Sequence, residues 1–369
     1  MEKNWLVIVA LLFQIIQTTP AQNESASNSK LKDAYTALQS WKSAITDDPL
    51  GTLTTWAGDN VCSYNGVFCG NPQNSTLPSD LVVVGIDLNF GNLQGTLVNE
   101  LSLLSDIILI HLNSNRFTGN VPDTFQSLGY LTELDLSNNL FSGSFPSVVL
   151  SLPRLVYLDL RFNEFSGPIP DNLFTNKQLD AVFLNDNQFV GQIPSSLGNS
   201  QASVITFANN KFSGDIPASI GNMGASLKEV LFLNNQFNGC IPEGIGRLTE
   251  MKVLDISFNS FTGQLPNSLS CLKEIEVLNL AHNKLSGVLS DTICSLRTIA
   301  NLTVSSNFFS GISPSCKNLS ASGNTIGCDF SSNCLPDLHQ QRSQPECNSL
   351  LPSGLNCIRI SLTTPLSCG

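Results

Sequence analysis

The stretch Leu131–Pro146, LTELDLSNNLFSGSFP, decides the fold, because the chain on both sides of it restates the same pattern at almost constant spacing. Leu134 and Leu136 alternate as the inward side chains of a short strand, and Asn139 closes that strand. Phe141, Gly143, Phe145 and Pro146 then steer the chain into a second extended segment. An Asn at the closing position can bond backbone groups of its own coil and of its neighbour. Successive Asn side chains are therefore expected to form a buried ladder of satisfied amides.

The ladder runs through Asn115, Asn139, Asn163, Asn187, Asn210, Asn235, Asn259, Asn283 and Asn307, at intervals of 24 except one of 23 and one of 25. Gly91 takes the slot before Asn115, and the tail recurs as FTGNVP, FSGPIP, FVGQIP, FSGDIP, FNGCIP and FTGQLP. The first coil then falls at Ile86 and Leu88. This spacing predicts an α/β solenoid, a right-handed superhelix of about ten coils with a parallel sheet on its concave side. Short helical or turn segments such as SVVLSLPRL and GNMGASLKEV are expected on the convex side.

An uninterrupted repeat makes the 369 residues one elongated body with caps. We expect a signal peptide over 1–21, an amino-terminal cap over 22–80, coils over 81–313, and a carboxyl-terminal cap with a cysteine-rich tail over 314–369. Lys3, the apolar run Leu6 to Ile16 and the small residues near Ala21 have the form of a secretory signal, too short to span a membrane. In the cap, Leu31, Ala34, Tyr35, Leu38, Trp41 and Ile45 mark one face of a helix ended by Asp47, Asp48, Pro49 and Gly51. A secreted protein with no later membrane span is expected.

Eleven cysteines in that setting imply disulfides. Cys62 and Cys69 are close enough to close a small loop, and Cys294 and Cys316 fall in adjacent coils. Cys240 and Cys271 lie at different phases and read as small buried hydrophobes. Cys328, Cys334, Cys347, Cys357 and Cys368 have no partner assignable from spacing. The odd total leaves a thiol free or open to a homodimer through the tail. Sequons occur at Asn23, Asn74, Asn301 and Asn318, with Asn74 the one expected to carry sugar. A net charge of −11 disfavours nucleic acid and anionic membranes, and favours a basic ligand.

Residues flanking the core leucines of each strand point to the concave face. One column reads Asp87, His111, Asp135, Asp159, Phe183, Thr206, Leu231, Asp255, Asn279 and Thr303, and its neighbours add Glu133, Tyr157, Arg161, Phe162, Glu229, Leu233 and Phe258. Apolar residues gather mid-arc with carboxylates on both sides. The expected ligand surface is Asp135, Tyr157, Asp159, Arg161, Phe162, Phe183, Leu231, Leu233, Asp255 and Phe258. Catalysis is not expected: His111, His282 and His339 are the three histidines, and no nucleophile is evident beside His111. No metal-type Cys and His spacing, phosphate loop or dinucleotide fingerprint occurs, so no metal or cofactor is expected.

The repeat tails and the CSYNGVFC cap resemble the plant-type extracellular leucine-rich repeat. A narrower resemblance lies in ALQSWKSAI, VCSYNGVFC, VGIDLN, NSNRF, FPSVVLSLPRL, FLNDNQF, VITFANNKFSG, FNGCIPE, SSNFFSG, NCLP and QRSQPEC, which look like the amino-terminal half of the leucine-rich repeat extensins. That resemblance implies a plant cell-wall protein whose repeat domain binds small, basic, cysteine-rich signalling peptides of the rapid alkalinization factor type. It also implies pairing through the cysteine-rich region and a Ser-Pro-rich arm tied to the wall. The present sequence closes at Gly369 without a Ser-Pro-Pro-Pro run, so the binding domain is expected without that anchor. Thr118 and Asp215 stand where the family often has cysteine, which implies that Cys240 lacks its neighbour. The rival expectations are an inhibitor of wall-degrading polygalacturonases and a structural wall component, with wall polysaccharide as a further partner.

Overall fold

Each coil contributes a short strand such as Glu133–Asp135, and these strands pair side by side in one 12-stranded sheet that forms the concave wall. The computed structural model describes residues 29–72, 81–321, 327–348 and 357. The expected signal peptide, Asn23, Asn74 and Cys368 lie outside the described residues. The first strand, Val67–Gly70, is antiparallel to Val82–Asp87, and every later neighbour is parallel. On the far side of most coils lies a short 3-10 turn, for example Ser147–Ser151 and Ala218–Met223, and the last two have the short helices Asp291–Cys294 and Pro314–Ala321 there. The flank between them carries a second sheet of eight strands, Ile45–Asp47 to Gln236–Phe237, and a three-stranded one beginning at Thr262–Gly263.

The ladder is present, with the detail that its amides bond backbone and not one another. Asn139 Oδ1 accepts from Phe117 N–H, and its Nδ2 donates to the carbonyls of Leu112, Leu136 and Ser137 at 2.8 to 3.1 Å. One side chain thus ties its own coil to the preceding one. It leaves no orphaned polar group in a core that offers no water.

A second column was not foreseen. The Phe of each tail turns inward, and Phe117, Phe141, Phe165, Phe189, Phe212, Phe237 and Phe261 stack with centroids 6.1 to 6.3 Å apart. These rings fill the interior between the two sheets, and the first of them meets Trp41 of the cap helix at 5.8 Å. The cap helix spans Ser29–Ala44 and buries Ala34, Ala37, Leu38 and Trp41. Tyr35, placed by periodicity on the apolar face, is exposed. Ile45–Asp47 leaves the helix to pair antiparallel with Gln94–Thr96, sealing the sheet edge.

Two readings of the carboxyl-terminal part are corrected. The coils do not end at residue 313: Gly327–Asp329 adds another parallel strand, and Asn333 makes the ladder's bonds to Phe309 N–H and to the carbonyls of Val304, Phe330 and Ser331. The 26-residue interval, swollen by the helix Pro314–Ala321, hid this coil. Cys240 and Cys271 are not buried thiols. Cys240 bonds Cys357, 117 residues away, and Cys271 is also in a disulfide. Cys357 therefore lies against the coil of Cys240, a pairing that coil-to-coil phase could not reveal. Cys62–Cys69 and Cys294–Cys316 form as expected, and Cys334–Cys347 closes the last cap. Among the described residues Cys328 is the free thiol; it packs against the core, and burial raises its pKa.

Candidate functional site: the concave face

Strand register aligns the column as expected. Asp87, His111, Asp135, Asp159 and Phe183 sit on consecutive strands, followed by Thr206, Leu231, Asp255, Asn279 and Thr303, with Asp329 added by the extra coil. The carboxylates in it have a local duty. Asp87, Asp135, Asp159, Asp255 and Asp329 each accept from the backbone N–H two residues on, which fixes the turn at the strand end.

Around Asp159 the candidates converge. Its carboxylate is wholly buried, accepts from Tyr157 Oη at 3.0 Å, and pairs with Arg161 Nε at 2.9 Å. The Arg161 guanidinium in turn lies 4.8 Å over the Phe183 ring, which also touches Tyr157 at a centroid distance of 5.5 Å. Burial, reinforced by Asp135, raises the Asp159 carboxyl to about 7 against the opposing pull of Arg161. Burial, and then the charge of Asp159, likewise raises the Tyr157 hydroxyl. Asp159, expected among the ligand residues, has no exposed surface, whereas Tyr157, Arg161 and Phe183 around it are half-buried.

Carboxylates flank this centre on the amino-terminal side. His111 Nε2 lies 2.9 Å from Glu133, and although burial works against the charged ring, Glu133, Asp135 and Asp87 together raise its pKa. On the other side, burial raises Glu229. Asp255 is held by Ser257 and by Asn279 Nδ2 at 2.9 Å. Leu231, on the strand Glu229–Leu231, and Leu233 just beyond its end are half-buried.

The apolar candidates do not form one run. Thr206, buried and bonded to Asn185 at 2.6 Å, and buried Ala208 separate Phe183 from Leu231. Phe162 and Phe258 stand apart again, at the position just before a ladder Asn. That position has a left-handed backbone in every coil (φ +54° and +53° for these two) and is filled elsewhere by Asn138, Asp186, Asn209 or Asn234. Phe162 is exposed, and Phe258 stacks on His282 at 4.0 Å. Sequence reading missed the hydrogen-bonded chain Asp186–Asn209–Asn234 in that column; its signal was the polar residue preceding the ladder residues Asn187, Asn210 and Asn235. Among the described residues no three His, Cys, Asp or Glu side chains group as a metal site requires.

Family models agree with this geometry in four places. A leucine rich repeat N-terminal domain matches residues 31–70, and leucine rich repeat models match 109–165, 250–272 and 274–296. The chain is a leucine-rich repeat protein. It is 51% identical over 87 residues to leucine-rich repeat extensin-like protein 1 of Arabidopsis thaliana, a match covering 24% of this chain and 11% of that protein. It is 45% identical over 102 residues to pollen-specific leucine-rich repeat extensin-like protein 2 of the same plant, covering 28% and 12%. The repeat protein thus spans only about a tenth of the length of these relatives.

Among solved structures, PEPR1-AtPEP1 superposes with a TM-score of 0.69 at 26% identity, covering 84% of this chain and 45% of that one. The ectodomain of the Arabidopsis receptor kinase HAESA, in complex with an IDA peptide hormone ligand, gives 0.60 at 28%, covering 76% and 50%. A plant ice-binding protein gives 0.70 at 24% identity, covering 85% and 96%, a likeness of fold. No helix among the described residues is long and apolar enough to cross a membrane.

Proposed function

We propose that this repeat protein is a secreted, non-catalytic cell-wall protein that captures a basic, cysteine-rich signalling peptide of the rapid alkalinization factor type on its concave face. The observation that carries the reading is the Tyr157–Arg161–Phe183 surface, locked from beneath by a buried Asp159 and bordered by Glu133, Asp135, Glu229 and Asp255. An aromatic centre held rigid by its neighbours supplies affinity at low ordering cost, while the carboxylate border steers a cationic partner. The peptide complexes formed by similar ectodomains and the net charge of −11 support the same reading.

Calorimetric titration with a synthetic peptide of that class tests it. Micromolar or tighter binding that weakens with salt is expected. Tyr157→Ala combined with Phe183→Ala should weaken it by about a hundredfold, as a pair of central aromatic anchors would. A panel of such peptides giving no heat, or the double variant binding unchanged, would refute the reading.

A further inference from the structure

One stretch of the flank departs from the rest of the stack. Two basins of about 680 and 730 Å³ meet there and share Asp215 and Asn238, forming a trough that crosses several coils. The ladder opens at the same place: Asn235 and Asn259 line the trough and are half-buried, whereas the other described ladder residues are buried. On the concave face the polar side chains bond one another. In the trough the side chains of Asp215, Gln236, Asn238 and Lys284 are exposed and make no hydrogen bond to other described residues. Phe258 stands at the rim, one ring face covered by His282 and the residue 49% exposed, on a left-handed backbone that disfavours a bulky side chain.

We propose that this trough binds a linear, neutral polysaccharide of β-1,4-linked pyranoses, lying along the stack with one sugar on Phe258. Equatorially substituted pyranoses present flat C–H faces, which suit the negative face of an aromatic ring. Their hydroxyl rims need mixed donors and acceptors, and unpaired amides supply both. The stack repeats such groups every ~4.8 Å, a step close to the length of one pyranose unit. The net charge of −11 works against a polyuronate, and in the trough Asp215 offsets Lys284, so the lining carries no excess positive charge to attract one. This inference does not rest on the peptide reading, whose surface centres on Tyr157, Arg161 and Phe183.

Calorimetry with xylohexaose, cellohexaose and hexagalacturonate tests it on the full chain. At least one neutral hexasaccharide should bind with submillimolar affinity and the galacturonan more weakly. Phe258→Asn keeps a residue type that three other coils place on the same left-handed backbone, so folding is preserved while the aromatic face is lost. It should weaken sugar binding at least about tenfold, as should Gln236→Ala with Asn238→Ala, and that second pair should leave peptide affinity unchanged. Absence of binding by both neutral sugars, preference for the galacturonan, or variants that bind as the wild type would each overturn the proposal.

Discussion

A single ladder residue shows how much a side chain can hold in this fold. Asn187 accepts from Phe165 N–H and donates to the carbonyls of Leu160, Leu184 and Asn185. Asn187→Ala would strand several buried backbone groups at once, so a loss on the order of 3 kcal/mol or more is expected from the shift in denaturant midpoint. Phe162 behaves oppositely. Its exposed ring sits on a left-handed backbone, and Phe162→Asn should leave stability unchanged or raise it by about 0.5–1 kcal/mol. At this scale the ladder was legible because an Asn that returns every 24 residues, always behind the same leucines, marks the corner of a repeating coil. The duty of the strand-end aspartates was not. A carboxylate that caps its own turn and one that faces a ligand occupy the same sequence position, and only distance separates them.

Elements add what residues cannot do singly. Three-residue strands would not persist alone, and the coils stand because the stacked phenylalanines and the leucines fill the space between the two sheets. Phe189, with no exposed surface and rings on either side, is the test: Phe189→Ala should cost about 3–5 kcal/mol in chemical unfolding, and Phe189→Leu considerably less. The coil period and the cap helix were readable from apolar spacing. The final coil was hidden by an inserted helix, and the Cys240–Cys357 staple by a separation of 117 residues that no local pattern spans.

The whole molecule carries a pH signature. Asp159, His111 and Glu229 all have raised pKa values, so through them the folded chain holds more protons than the unfolded one. For Asp159 the resulting stabilisation is complete below the ordinary carboxylate range and is lost as pH climbs through about 7; for His111 it is lost as pH rises through its raised value. Asp291, Asp329 and Glu346 are shifted downward, so what they contribute is present above the ordinary carboxylate range and is lost only as pH falls below it. The thermal midpoint should therefore be higher at pH 5 than at pH 8, and Asp159→Asn should flatten the difference. The sequon at Asn301 has a molecular-scale consequence too. Asn301 is exposed on the concave sheet beside Thr303, so a glycan there would close the carboxyl-terminal end of the face and confine a peptide to earlier coils. Intact-mass analysis before and after glycosidase treatment of an Asn301→Gln variant, compared with the parent, should show one glycan fewer in the variant.

Hydrogen–deuterium exchange with and without a bound basic cysteine-rich peptide tests the central claim most directly. Slowed exchange should concentrate on the strands Glu133–Asp135, Tyr157–Asp159 and Ala181–Phe183, with the turns after them. Protection confined to the convex turns or the flank, with those three strands unaffected, would contradict a concave docking surface.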